Sequence, residues 1–310
     1  MQLRELLSQP QHLPAIPALV HNLIDSFARE DVSFGQIARL ISTEPGLSAK
    51  LLRLANSAYF RPALGIGSVD DAVKMLGIKM ARNLVIASGL IAALKVASGM
   101  DIQQFWRYSL STACVARWLA GRAGQDGELG FMAGMLHGIG QFAMRAGMPQ
   151  DMIRIDMVVH PLDARRALAE REALGFDHAE VSAELARRWH FPESIAHGVG
   201  SVPRPLEAQP GSPLAALVHL AAWRARVETF GETEEMLLAS YPDAVASSLG
   251  IARTWMPVLL PDAAPAGRPA DAMPEVAQLT AGLDEMLRKS SPDYRKTTLQ
   301  RTERASSSTR

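Results

Sequence analysis

The feature that most constrains this chain is that apolar residues recur at helical spacing almost throughout, while no convincing run of period-two alternation appears. A helix buries one face through apolar side chains three and four residues apart, whereas a half-buried strand needs alternate ones. In "SFGQIARLIS", Phe34, Ile37, Leu40 and Ile41 share a face, and Ser33 with Gln36 has the spacing of a capping box. In "EPGLSAKLLRLANSAYF", Pro45 suits a first helical turn, and Leu47, Leu51, Leu54 and Ala58 line one side. The chain is therefore expected to be all-α.

Further helices are predicted over about 17–29, 79–97, 102–122, 129–146, 162–174, 178–190, 212–226 and 242–256, and Ser68 with Asp71 caps another at "SVDDAVKML". Asp177 and Glu180 start the helix in "DHAEVSAELARRW", with Val181, Leu185 and Trp189 facing inward. After Leu260 the texture changes. The segment 259–274 is a Pro/Ala-rich linker, 275–289 reads as one amphipathic helix with Val276, Leu279, Leu283, Met286 and Leu287 on a stripe, and 290–310 is a polar, basic tail expected to be disordered. The terminal helix is expected to pack back on the body.

At 310 residues, 48% hydrophobic and 21% charged, the chain has the composition of a globular protein and can bury a large core. Its formal net charge of zero supplies no overall field toward nucleic acid or anionic lipid. The single cysteine, Cys114, excludes an internal disulfide framework and a multi-cysteine metal cluster, and fits a reducing cytoplasm. The N-terminus lacks the pattern of a signal peptide. The most apolar run, Leu84 to Leu94, holds 11 residues where a membrane span needs roughly 20. The protein is expected to be cytoplasmic, with no membrane partner.

The helix, short turn and helix of "SFGQIARLISTEPGLSAKLLRLANS" give the outline of a helix-turn-helix regulator of DNA. A recognition helix must present polar side chains to base edges, however, and the second helix offers only Lys50, Arg53, Asn56 and Ser57 among many leucines. Two packed core helices explain the stretch better, and nucleic acid is not expected as a partner.

Several stretches occur together and in order: "LPAIPALVHNLI", "VSFGQIARLISTEPGLSAKLLRLANSAYF", "GIGSVDDAVKMLGIKMARNLVIASGL", "FWRYSLSTACVARWLA", "FMAGMLHGIGQF", "LGFDHAEVSAELARRWHFPESIAHGV" and "PLAALVHLAAW". Over roughly residues 10 to 258 the chain resembles the HDOD family, the non-catalytic bacterial signalling relatives of HD-type phosphohydrolases. Glu44, Pro45, Leu51, Arg53, Asn56 and Ser57 are among the residues that carry the resemblance. It implies an HDOD domain over 1–258, with an N-terminal helical bundle (1–98) packed on a degenerate HD-like bundle (99–258). It also implies a regulatory module that works through a protein partner, in settings such as motility, stress responses or cyclic-dinucleotide circuits.

The phosphohydrolase relatives hold a divalent metal through a first histidine, an adjacent His-Asp pair and a later aspartate. Such a cation needs several convergent ligands, some of them anionic, before it lowers the pKa of a bound water. At the corresponding positions this chain has Tyr108, then His137 followed by Gly138, and finally Ala222; a histidine pair found in many relatives aligns approximately with Ser201 and Val202. Only His137 remains of the set, so metal-dependent phosphoester hydrolysis is the weaker alternative and no metal or other cofactor is expected. Unmatched acids such as Asp126 and Glu128 have no spacing that recommends them as substitutes.

Gly130, Gly134 and Gly138 lie at i, i+4 and i+8, a spacing that lets a second backbone approach one side of a helix. His137 would sit beside that seam, hydrogen-bonded to a buried carbonyl or hydroxyl. His178, next to Asp177, is read as a residue of a capped helix start and not as a ligand. If the old metal cavity persists as a pocket, Trp106, Tyr108, His137 and His178 are its candidate lining.

Overall fold

The structure, a computed structural model, describes residues 2–28, 32–56, 65–94, 99–230, 234–251 and the single positions 277 and 280. Among these the regular structure is entirely helical. The first half comprises α1 (Leu3–Leu7), α2 (Ala18–Asp25), α3 (Phe34–Ser42), α4 (Pro45–Ala55), α5 (Val69–Leu76) and α6 (Ile78–Ala93). The second comprises α7 (Ile102–Arg122), α8 (Gly127–Leu136), α9 (Gly140–Gly147), α10 (Pro149–Asp156), α11 (Arg166–Leu174), α12 (His178–Arg188), α13 (Glu193–Gly200), α14 (Pro213–Phe230), α15 (Glu234–Ser240) and α16 (Asp243–Ser248).

Local sequence chemistry starts many of these helices. The Ser33 hydroxyl accepts from the Gln36 N–H at 3.2 Å while Gln36 Oε1 accepts from the Ser33 N–H at 2.7 Å, which completes the capping box of α3. Ser68 caps α5 through the Asp71 N–H, and Asp177 caps α12 through the N–H groups of Ala179 and Glu180. Val181, Leu185 and Trp189 are buried as their spacing requires. Phe34 departs from its expected place: at the first position of α3 it is 46% exposed, while Ile37 and Ile41 behind it are buried.

One continuous apolar core joins both halves, from Leu6 to Ile251. Its axis is α6, in which every residue from Met80 to Ile91 is buried. Helix α2 approaches α6 so closely that a Cβ at Gly89 would lie 2.3 Å from Cγ2 of Val20. On its other side α6 meets α8, where the fully buried Asn83 donates to the Glu128 carbonyl at 3.0 Å and to its carboxylate at 3.1 Å. No single helix among the described residues is long and apolar enough to cross a membrane; α5 and α6 pass that test only together, across a 116° bend.

The expected helix over 129–146 is instead two. Helix α8 ends at Leu136, and α9 begins at Gly140. Ser182, on α12, holds the break: its hydroxyl accepts from the N–H of Gly140 at 2.7 Å and shares its one proton between the carbonyls of His178, at 2.7 Å, and His137, at 3.2 Å. Helices α1, α10 and α15 were not expected from the periodicity, being short, and the helix predicted over 162–174 starts only at Arg166. The region expected over 242–256 is helical from Asp243 to Ser248, and residues 252–256 lie outside the described part. The linker 259–274, nearly all of the amphipathic segment 275–289, the tail 290–310, Ser57 and Ala58 also lie outside it.

Candidate functional site

The sequence places a histidine where three helices and a loop converge, and the fold leaves a cavity of about 360 Å³ around it. Tyr108 enters from α7, His137 and Gly138 from the α8–α9 turn, His178 from the start of α12, and Ala222 from α14. All four positions matched to the relatives' metal ligands, Tyr108, His137, Gly138 and Ala222, therefore line one cavity, together with Val202. Trp106 does not line it: its ring packs into a buried aromatic cluster with Phe105 and Phe142, at centroid distances of 5.2 and 5.8 Å. Ser201 lines a different, smaller depression.

The glycine seam exists for two of its three members. A Cβ at Gly134 would lie 2.6 Å from the Cα of Ala113, and one at Gly130 would lie 3.2 Å from the Ala116 carbonyl, so α7 and α8 touch backbone to backbone. Gly138 lies past the end of α8 and faces a side chain instead. A Cβ there would lie 3.0 Å from Cε2 of Phe105.

His137 is 5% exposed, and its Nδ1 donates to the Gly134 carbonyl at 2.7 Å. A carbonyl only accepts, so the proton sits on Nδ1 and the neutral ring carries its lone pair on Nε2. Burial lowers the His137 pKa to about 4; the Gly134 bond opposes this, and the charges of His178 and Arg226 add to it. The Tyr108 ring meets the imidazole edge-on at 5.3 Å.

His178 behaves oppositely. Its Nδ1 bonds the Glu170 carboxylate at 2.6 Å, and that carboxylate is wholly buried and also accepts from Nε of Arg166 at 2.7 Å. Desolvation works against the imidazolium, but the Glu170 charge and hydrogen bond prevail and the His178 pKa is raised. His178 thus opens α12, as its position beside the Asp177 cap suggests, and also faces the cavity.

Sequence reasoning missed further polar residues of the cavity, Arg226, His219 and Gln141 among them. Arg226 donates through Nη1 to the Tyr108 hydroxyl at 3.1 Å, and His219 donates through Nδ1 to the Val202 carbonyl at 2.8 Å. Gln141 donates to the Pro161 carbonyl at 2.8 Å, while its Oε1 is buried without a partner. The spacing of His219, Ala222 and Arg226 on one face of α14 was a usable signal.

The unmatched acids lie elsewhere. Asp126 caps α8 and pairs with Lys79, and Glu128 pairs with Arg117. Of the remaining family-like residues, Glu44 and Pro45 open α4, Leu51 is fully buried and Arg53 is exposed. Asn56 acts as a clamp: it donates to and accepts from the backbone of Ile66, at 2.8 and 2.7 Å, and so ties the end of α4 to the stretch that leads into α5.

These donors do not fit a divalent metal. Among the described residues no group of three or more His, Cys, Asp or Glu side chains is arranged to hold one. Phe105 fills the space a carboxylate at position 138 would need, and the Arg226 guanidinium acts on His137 where a second cation would have to approach.

An all-helical fold with a histidine-lined cavity between its helices defines the class of protein. Within it the chain belongs to the HDOD family, whose domain model matches residues 13–204. The chain is 29% identical to a candidate phosphohydrolase from Shewanella amazonensis SB2B, with a TM-score of 0.68 over 92% of this chain and 97% of the other. It also shares the fold of an HDOD domain protein of unknown function from Geobacter sulfurreducens, at 23% identity and a TM-score of 0.68 over 93% and 95% of the two chains. An uncharacterized protein of Treponema pallidum (strain Nichols) is 25% identical over 189 residues, 60% of this chain and 37% of the relative's own length.

Proposed function

We propose that this chain is a non-catalytic regulatory module that acts in the cytoplasm by binding a partner protein, in a signalling circuit of the kind its family serves. The observation that carries the reading is the cavity itself, where Tyr108, Gly138 and Ala222 stand at the matched positions and Arg226 supplies positive charge. What remains is a rigid helical scaffold held by its apolar core. Support for a docking role comes from Ile153, Met157 and Val158, on α10 and the turn after it, which are 43%, 76% and 80% exposed.

Two measurements test this. Purified full-length protein assayed with phosphate monoesters and diesters in added Mn²⁺ or Mg²⁺ should show no turnover that His137→Ala abolishes; such turnover would return the enzyme reading. Affinity capture from the native cell, with and without residues 275–310 and with Met157→Glu/Val158→Glu, should lose a partner in one arm. A capture profile identical to that of an unrelated helical protein in every arm would remove the partner reading.

A further inference from the structure

The charges around the cavity do not cancel. Arg226 is half-buried on its wall, and among the described residues its hydrogen-bond partner is the neutral Tyr108 hydroxyl, with no carboxylate at ion-pair distance. Among the described residues that line the cavity the one carboxylate is Asp163; its charge reaches Arg226, but its hydrogen bonds go to the N–H, Nε and Nη2 of Arg165 in its own loop, at 2.8, 3.2 and 3.1 Å. His178, also on the wall, has its Nδ1 committed to Glu170, so its other ring nitrogen is the one left for the cavity. A guanidinium with no carboxylate at hydrogen-bonding distance and an imidazole backed by a buried carboxylate are two donors for an anion.

Two of the three other imidazoles on the wall supply the complement. His137 and His219 each donate through Nδ1 to a backbone carbonyl, at 2.7 and 2.8 Å, so each neutral ring turns a lone pair on Nε2 outward from that bond. Both rings line the same cavity as Arg226 and His178. The buried Oε1 of Gln141, without a protein partner, adds another acceptor on the wall. Charged donors and neutral acceptors in one chamber suit a molecule that carries both an oxyanion and a hydroxyl or N–H group. The volume, about 360 Å³, lies at the small end of the range for ligand pockets, roughly 300–1,000 Å³.

We propose that this cavity is a binding site for a small organic oxyanion, held by Arg226 and His178 at its charged group and by His137 and His219 at a hydroxyl or N–H donor of the same ligand. Phe230, 40% exposed and edge-on to His160 at 5.1 Å, stands at the cavity mouth. The site would let a regulatory scaffold respond to a metabolite without transforming it. The inference does not depend on which protein partner the scaffold has.

The test is calorimetric titration of the full-length protein at pH 7 and fixed ionic strength, with inorganic phosphate as one probe and glycerate, a hydroxy carboxylate, as the other. The two arms separate a phosphoryl from a carboxyl preference. Saturable binding of either probe is expected, weakened roughly tenfold or more by Arg226→Met and by His178→Gln, and left intact by the surface change Arg154→Gln. As a check that needs no variant, the ring ¹⁵N signals of His137 and His219 in the wild-type protein should move on titration. Absence of saturable binding by both probes, binding that Arg226→Met leaves unchanged, or binding with both ring signals unmoved overturns the proposal.

Discussion

Phe105 stands against Gly138: a Cβ at residue 138 would lie 3.0 Å from Cε2 and 3.2 Å from Cζ of the Phe105 ring. Packing therefore opposes any side chain at position 138, a carboxylate included. Phe105 is itself wedged edge-on against Phe142, at 4.9 Å between centroids, and against Trp106. Gly138→Asp should destabilise the protein by about 1–3 kcal/mol through overpacking. It should leave the metal content of protein purified with Mn²⁺ unchanged. Denaturant melts and elemental analysis check the two halves, and stoichiometric metal in Gly138→Asp would refute the second.

The α7–α8 contact offers a controlled comparison. Gly134 meets the backbone of Ala113, whereas Gly121 on α7 has nothing within 4 Å of the place its Cβ would take. Gly121→Ala should stabilise by up to about 1 kcal/mol, because alanine loses less backbone entropy in a helix. Gly134→Ala must push two helices apart, and should cost about 1–3 kcal/mol or more. Thermal melts of the two variants should move in opposite directions; equal shifts would contradict the close approach.

The parts that were legible in the sequence are those set by near neighbours. Ser33 with Gln36, Ser68 with Asp71, and Asp177 begin helices by bonds that reach two or three residues, and the spacing announces them. The break at His137 was not legible, because Ser182, 45 residues further on, supplies the bonds that stabilise it. Arg226 reads as an ordinary polar residue on a helix; only the fold turns it, beside the small Ala222, into a cavity wall. Arg166 and Glu170 look like a surface i,i+4 pair, yet their side chains are 1% and 0% exposed, since α9 to α12 close over them. A local pattern reports which groups are near one another along the chain, and burial is decided elsewhere.

That buried pair belongs to a chain of charges, from Arg145 through Asp156, Arg166 and Glu170 to His178. Asp156 accepts from Arg145 at 2.7 and 2.9 Å and from Arg166 at 2.7 Å. Removing one member strands another in a low-dielectric interior. Arg166→Met should therefore cost about 3–5 kcal/mol, while Arg166→Met/Glu170→Leu should cost less than the sum of its single changes. A double-mutant cycle from urea melts measures the coupling, and strict additivity would mean the pair is not buried together.

The histidines give the stability curve its acid limb. His137 takes its proton near pH 4 in the folded protein because its ring is buried, against an ordinary value of 6.5, so between those values the unfolded chain binds more protons. Stability from this group is full above pH 6.5, falls as the pH drops, and levels off near pH 4, a total loss of about 3 kcal/mol. His219, also held low by burial, contributes in the same sense. His178 has the opposite sign: its raised pKa stabilises below 6.5, and that part fades as the pH rises through its folded value. The lowered carboxyl groups of Asp156 and Glu170 withdraw their support only at more acid pH, below the ordinary carboxylate range. His137→Asn keeps a donor for the Gly134 carbonyl and removes the titration. Its unfolding free energy should be lower than wild type at pH 7 but should fall less steeply between pH 6.5 and 4.5, and parallel curves for the two proteins would show that His137 is not the buried, neutral group described.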